Sequence, residues 1–364
     1  MNPSEGLQTA LNEIRETLIQ DSKLYQEQLP LVEHYTSSQV YGQSLLALPS
    51  DLRNKFIQSL VNRIAYTKFQ MDYFENPLRE LANDELPLGA IGQDVYINPA
   101  RGRVYDINDF AGLLAKYESD VKVEYNELNY DVQFPVTIVR KELEKAFNTW
   151  GDFESFLMGI SQSLYNGAYI TRYNSTKGLA LAAFNGNGVK YEVITNPTNE
   201  ATAKALVRKM RADFSKFQIP STKFNAWADV KGEGAFALKT WSDPEDVVVL
   251  ISADVEALID TEVLAAAFNM SKTDFLGRVI VVDDFTQYNE DGTVAVDGSM
   301  IKAMIADKSW FKIKTQDFAM DEFYNANNRT WQYYLNDVRM VNYSLFANAK
   351  VYTTAEPTPS GSDS

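Results

Sequence analysis

The sequence contains no cysteine and a single histidine, His34. Without cysteine there are no disulfides, no thiolate nucleophile and no thiolate metal site, and one histidine rules out a histidine ligand cluster. A Ser-His-Asp triad would have to be built on His34, which lies in VEHYTSS with no nucleophile elbow nearby. Long apolar runs are missing too: none approaches the roughly 20 residues that span a bilayer. MNPSEGLQTALNEIRE lacks the basic and apolar regions of a signal peptide, so the chain is expected to be soluble and made in the cytoplasm. Positive charge is scarce, with 34 Lys and Arg against 49 Asp and Glu, a formal net charge of -15. That field repels polyanions. It argues against a sequence-specific nucleic-acid reader and suits a surface that lies near DNA without sticking to it.

What is present is an ordinary globular composition, 45% hydrophobic and 23% charged over 364 residues, enough for two domains or one elaborate one. Residues 4–28 read as one amphipathic helix capped by Ser4, with Leu7, Leu11, Ile14, Leu18 and Tyr25 on one face. A looser stretch follows, and then a helix capped by Ser50 with Leu52, Phe56, Leu60 and Ile64 on its face. Residues 1–50 hold six acids and two bases, an acidic arm. Phe69, Met71 and Tyr73 alternate as in a strand. Residues 85–109 are rich in Gly and Pro. Beyond them, Val121–Tyr125 and Tyr130–Ile138 alternate cleanly and predict a β-hairpin with no core of its own.

In the second half, Gly151 and Asp152 predict a break between a helix from Lys141 and a helix reaching about Tyr173. FNGNGVKYE, 184–192, reads as a turn between strands. A helix over about 199–217 buries Val207, Met210, Phe214 and Phe217 and carries a basic stripe of Lys204, Arg208 and Arg211. In so acidic a protein, such a stripe is expected to pair with acids across a contact. Strands are predicted at 247–251, 279–282, 302–306, 310–314 and 330–352, with a helix over 254–268 and a turn at Asp291-Gly292. TTAEPTPSGSDS reads as a flexible tail. Mixed elements without a repeating βα unit predict the α+β class.

No phosphate-cradling loop of either common type occurs, and Gly186-Asn187-Gly188 is too short for one. NEDGTVAVDGSM resembles a calcium loop only in its acidity: with Gly292 at the sixth position, Gln287 and Gly298 fall where ligands belong. A pair of carboxylates could still serve a glycosidase. The best pair is Asp283-Asp284 at the end of a strand. Neighbours on a strand point to opposite faces, so these are expected to be solvated acids, and Asp274 a turn-capping one. No catalytic, cofactor or metal residue is assigned, and no enzymatic activity is expected.

Four segments, FIQSLVNRI (56–64), AFNTWGDFESF (146–156), VRKMRA (207–212) and SADVEALIDTEVLAAAFNMSKTDFLG (252–277), together resemble the major capsid proteins of phi-29-like short-tailed phages. The similarity runs from about 50 to 352. It implies the HK-97-like capsid fold: a helical N-arm over 1–65 and an extended loop with its hairpin over 66–140. It further implies a peripheral domain with the spine helix over 141–184, an axial domain over 185–300, return strands over 301–352 and a tail over 353–364. It also implies hexamers and pentamers closing an icosahedral shell around double-stranded DNA, with a scaffolding protein and a portal as partners. No cofactor and no membrane enter that picture, and the hairpin would be covered by a neighbouring subunit. The extra immunoglobulin-like domain of the phi-29 protein has no counterpart before Ser364, and the middle of the extended loop matches poorly. An encapsulin-like cellular shell and a carboxylate-dependent hydrolase are the alternatives.

Overall fold

The computed structural model describes residues 5–20, 22–29, 31–34, 38–49, 52–53, 55–56, 59, 74–82, 84–87, 89–106, 112, 115–116, 118–139, 150–231, 237–259, 279–289, 291–328 and 330–357. Its helices are α1 (Glu5–Ile19), α2 (Leu24–Gln28), α3 (Ser38–Ala47), α4 (Trp150–Asn185), α5 (Glu200–Phe217), α6 (Trp227–Lys231) and α7 (Ala253–Glu256). The strands are β1 (Asp84–Glu85), β2 (Gly92–Ile97), β3 (Val121–Asn126), β4 (Tyr130–Val139), β5 (Lys190–Val193), β6 (Val247–Ser252), β7 (Val279–Val282), β8 (Gln287–Tyr288), β9 (Val294–Val296), β10 (Ile301–Asp307), β11 (Phe311–Asn325), β12 (Thr330–Tyr343) and β13 (Ala349–Thr353). They form sheets in the orders β1-β11-β12-β4 and β5-β13-β10-β6-β7, with β2-β3 and β8-β9 as two-stranded ribbons. This is the α+β class that the sequence predicts. The chain divides into two compact units, and the boundary falls inside α4, β4, β11 and β12.

The first unit comprises Met1–Glu75, Val132–Ile170 and Phe318–Asp337. Its larger core gathers Leu11, Ile14 and Leu18 of α1, Tyr25 of α2, Tyr41 and Leu45 of α3, Phe56, Ile138, Trp331 and Tyr333. The single N-terminal helix expected from the apolar spacing is broken. Helix α1 ends at Ile19 and α2 begins at Leu24; Asn12 accepts from the Val32 amide at 3.0 Å and Arg15 donates to the Leu29 carbonyl. Side chains of α1 thus hold the following turn. The stripe itself is right, since Leu11 and Tyr25 are fully buried. The predicted elements at 60–73, 141–149 and 260–268 lie outside the described residues. A second core packs Leu164 and Ala168 of α4 against Leu335, with Phe134 and Val136 of β4 beside them. A Cβ on Gly167 would stand 3.3 Å from the Phe134 ring, so glycine there lets helix and strand approach.

The second unit comprises Asn76–Asp131, Thr171–Asp317 and Val338–Ser364. In its five-stranded sheet β10 runs antiparallel to β6 and β13, while β5 joins β13 and β7 joins β6 in parallel. All six residues of β6, VVVLIS, are buried, as a β-branched strand covered on both faces requires. On one face Val248, Leu250, Met304 and Val351 pack with Leu179, Ala180, Ala183 and Phe184 of α4. On the other, Val247, Val249, Ile251, Ala303 and Ile305 pack with Leu206, Val207, Met210 and Phe217 of α5. Each of these larger side chains stabilises by about 1.5–3 kcal/mol. The start of α5 is fixed by a capping box, with Asn199 accepting from the Thr202 amide at 3.0 Å and Thr202 accepting from the Asn199 amide at 3.2 Å.

Three further expectations are corrected. Helix α4 begins at Trp150 and runs 36 residues to Asn185, through Gly151 and past Tyr173. The Asn-Ser-Thr run after Tyr173 does not stop it, because Ser175 and Thr176 return their hydroxyls to the Arg172 carbonyl at 3.0 and 2.9 Å. Residues 186–188 end this helix rather than joining two strands. Asn187 takes φ 56°, and a Cβ on Gly188 would collide with the Tyr343 ring. The hairpin of 121–138 does not exist. Strand β3 pairs with β2, Ile97 opposite Val121 and Gly92 opposite Asn126, whereas β4 lies beside β12. Turn residues and alternation set the strands correctly, but strand partners are a tertiary choice.

Candidate assembly surface

The β2-β3 ribbon belongs to the second unit and turns its two faces to opposite uses. Its register places Asp94, Tyr96, Lys122, Glu124 and Asn126 on one face, and Gln93, Val95, Ile97, Val121, Val123 and Tyr125 on the other. The polar face is the one held down. Lys312 donates to Asp94 at 3.0 Å and Asn126 to the same carboxylate at 3.1 Å. Glu124 accepts from the Ser344 hydroxyl at 3.0 Å and the Leu345 amide at 3.2 Å. Tyr96 packs on Phe346, which in turn meets Trp227, and its hydroxyl reaches the Lys239 carbonyl. Burial pushes the Glu124 carboxyl above its ordinary range, against these two hydrogen bonds, and nearby Asp94 pushes the same way.

The apolar face is left in water. Val95 is 54% exposed, Ile97 61%, Val121 46% and Tyr125 66%. Beyond the ribbon, Val104 and Tyr105 are more exposed still. A contiguous apolar row on a solvent face is the arrangement of a surface made to be covered.

Elsewhere the chemistry is structural. Asp283 and Asp284 do not diverge as strand neighbours would, because β7 ends at Val282. Both turn to Lys177 of α4, at 2.8 and 3.5 Å, and Tyr173 donates to Asp283 at 2.5 Å. They are therefore counter-ions of a buried lysine, and Asp283 is at the same time a solvated acid, its side chain 56% exposed. Burial opposes ionisation of Asp283, yet the hydrogen bonds from Lys177 and Tyr173 outweigh it and hold the carboxyl below its ordinary range. Asp274 and the rest of its loop lie outside the described residues. His34 closes a short 3-10 turn at Val32–His34. Among the described residues no group of three or more His, Asp and Glu could hold a metal, and no helix is long and apolar enough to cross a membrane. On the basic stripe Lys204 pairs with Glu200 of its own helix, while Arg208 and Arg211 are exposed and have no ion pair among the described residues.

Two packed units, a long helix against mixed sheets and a ribbon with its apolar face outward describe a shell-building subunit. The Phi29-like phage major capsid protein model matches residues 11–353, and the chain belongs to that family. The match starts inside α1, well before residue 50, where the similarity is first read in the sequence. The chain is 28% identical over 351 residues to the major capsid protein of Bacillus phage B103, covering 96% of this chain and 73% of that one. It is 31% identical over 308 residues to that of Bacillus phage PZA, covering 84% of this chain and 64% of that one. For Streptococcus phage Cp-1 the identity is 28% over 315 residues, with 83% of each chain covered. Among solved structures, a chain of the Staphylococcus phage Andhra capsid superposes with a TM-score of 0.62 at 16% identity, over 79% of this chain and 87% of that one. A chain of the native bacteriophage P68 structure gives 0.60 at 17%, again over 79% and 87%. The fold is HK97-like and the protein is a structural component of a tailed-phage capsid; neither a cellular shell protein nor a hydrolase is favoured by these relatives.

Proposed function

We propose that the chain assembles as hexamers and pentamers into the icosahedral head around double-stranded DNA, in the host cytoplasm, aided by a scaffolding protein and docked to a portal. The observation that carries this reading is the outward apolar face of the β2-β3 ribbon. In this reading residues 66–140 form the extended loop and 1–65 the arm, while 141–184 and 301–352 build the peripheral domain and 185–300 the axial one. The tail is 353–364. The neighbouring subunit covers Val95, Ile97, Val121 and Tyr125 of the β2-β3 ribbon, which stands in place of the expected hairpin. The net charge of -15 keeps the inner wall from gripping packaged DNA. The subunit turns over no substrate.

The test is Val95→Asp with Val121→Asp. Both residues are exposed in the subunit, so the variant should remain folded, with an unchanged melting curve, and fail to form particles in sedimentation and electron microscopy. Particles of wild-type yield would remove the ribbon from the contact.

A further inference from the structure

A second ribbon, β8-β9, also stands out from its unit with apolar side chains in water: Tyr288 is 48% exposed, Val294 55% and Val296 40%. Its turn is tightly made. The Asn289 amide donates to the Thr293 carbonyl at 2.8 Å, and Gly292 takes φ 79°, open to glycine without strain. Its root is equally fixed. Tyr288 donates to Asp284 at 2.8 Å, Gln287 lies against Gly178 of α4, and a Cβ on Gly298 would run into the Phe285 carbonyl. The finger is acidic: its turn carries Glu290 and Asp291 and its far root Asp297, with no Lys or Arg between Gln287 and Ile301, while Asp283 and Asp284 at the near root are already paired with Lys177. Hydrogen bonds from Thr293 and Ser299 hold Asp291 and Asp297 below the ordinary carboxylate range, so both stay charged at neutral pH.

The opposite surface exists on the same chain. Arg208 and Arg211 are exposed, adjacent on one face of α5 and without an ion pair among the described residues. No ion pair among the described residues joins them to the β8-β9 acids. In a protein of net charge -15, two neighbouring arginines without an acid partner among the described residues leave a local positive face. An acidic finger and a basic face at different places on one chain match head to tail, and a head-to-tail contact that closes makes a ring.

We propose that the β8-β9 finger of one subunit docks on the Arg208 and Arg211 face of α5 in the next, around the ring of a capsomer. The inference rests on the shell-building function above and names one of its contacts. Charge draws the surfaces together, and Tyr288, Val294 and Val296 lose their exposure in the contact.

The absence of cysteine provides a clean test. Arg211→Cys and Val294→Cys are made singly and together, and assembled particles are treated with a short bismaleimide. The double variant should give a ladder of covalent oligomers up to six subunits on a denaturing gel, and each single variant only monomers. Particles visible by electron microscopy whose double variant stays monomeric would overturn the contact, as would crosslinking in either single variant. Absence of particles from the wild-type chain with its scaffold would instead count against the shell function, and is read separately. In parallel, Arg208→Glu with Arg211→Glu should keep the wild-type melting curve and lower particle yield roughly ten-fold or more. Normal yield, with DNA packaging lost instead, would assign the arginines to nucleic acid and sink the proposal.

Discussion

Asp213 is a charged residue on the inner side of α5, and it shows what one carboxylate does when it is 3% exposed. It accepts from Lys350 at 2.6 Å, Tyr352 at 2.8 Å and Lys216 at 3.1 Å, and Lys350 also reaches Glu192 at 2.6 Å. Burial opposes its charge, but the Lys350 and Tyr352 bonds outweigh burial and lower its pKa; Lys350 is raised by the same pairing against its own burial. The stability from Asp213 is therefore complete above about pH 3.9 and is lost as pH falls through its lower folded value. That from Lys350 is complete below about pH 10.4 and is lost as pH rises through its higher folded value. Asp213→Asn should cost about 2 kcal/mol at pH 7 in urea unfolding, with the difference narrowing as pH falls through the lowered folded value. Glu124 has the opposite sign. Its raised pKa means the folded chain holds the proton more tightly, so stability declines as pH rises from the ordinary Glu range to the folded value. Glu124→Gln should match or exceed the wild type in melting temperature at pH 7 and lose that margin near pH 4; a drop at both values would show that the charge is needed. Neither role was legible in the sequence, where Asp213 and Glu124 are two acids among 49. Their partners Lys350, Ser344 and Leu345 are more than a hundred residues away, and local pattern carries no such distance.

Elements were more legible than their pairings. The alternation of β4 was plain, and so was the apolar stripe of α5, because period follows from backbone geometry. What covers each face follows from tertiary packing. The even-numbered side chains of β4 face α4, with Phe134 against Gly167 and near Leu164 and Leu335. Val132→Asp with Phe134→Asp is thus expected to destabilise the subunit rather than to spare it, since both side chains are half-buried and Phe134 packs on α4. Circular dichroism of the purified variant decides, since a folded but non-assembling subunit would return β4 to the intersubunit surface. The ribbon of 92–97 with 121–126 was missed because Gly and Pro around residues 85–109 blur the pattern of β2, and because β3 reads equally well beside β4. Helix α3 was missed for a related reason: SQVYGQSLLA has a narrow stripe, Tyr41 and Leu45, continued by Leu48 just past its end, among small polar residues.

For the molecule as a whole, the two ribbons share one design, with polar groups anchoring the root and apolar groups offered outward. A shell multiplies each modest contact by its copy number, so weakening one of them should shift the concentration at which particles appear well before it changes the melting of the subunit. Light scattering against protein concentration, run beside thermal unfolding, measures the two separately; parallel shifts in both would tie the ribbons to the fold instead. The order of the five-stranded sheet has a further consequence, in time. Strand β13 sits between β5 and β10, so Lys190 waits for Lys350: β6, β7 and β10 can pair once residue 307 is made, but β5 joins the sheet only through β13. The β2-β3 ribbon can bond residues 237–239 earlier, but its seat is incomplete until Lys312, Ser344 and Phe346 have been made. A chain still on the ribosome therefore presents neither a finished sheet nor a seated ribbon. Nascent chains crowded along one messenger are kept from polymerising with each other, and competence to join a particle arrives as synthesis reaches residue 353.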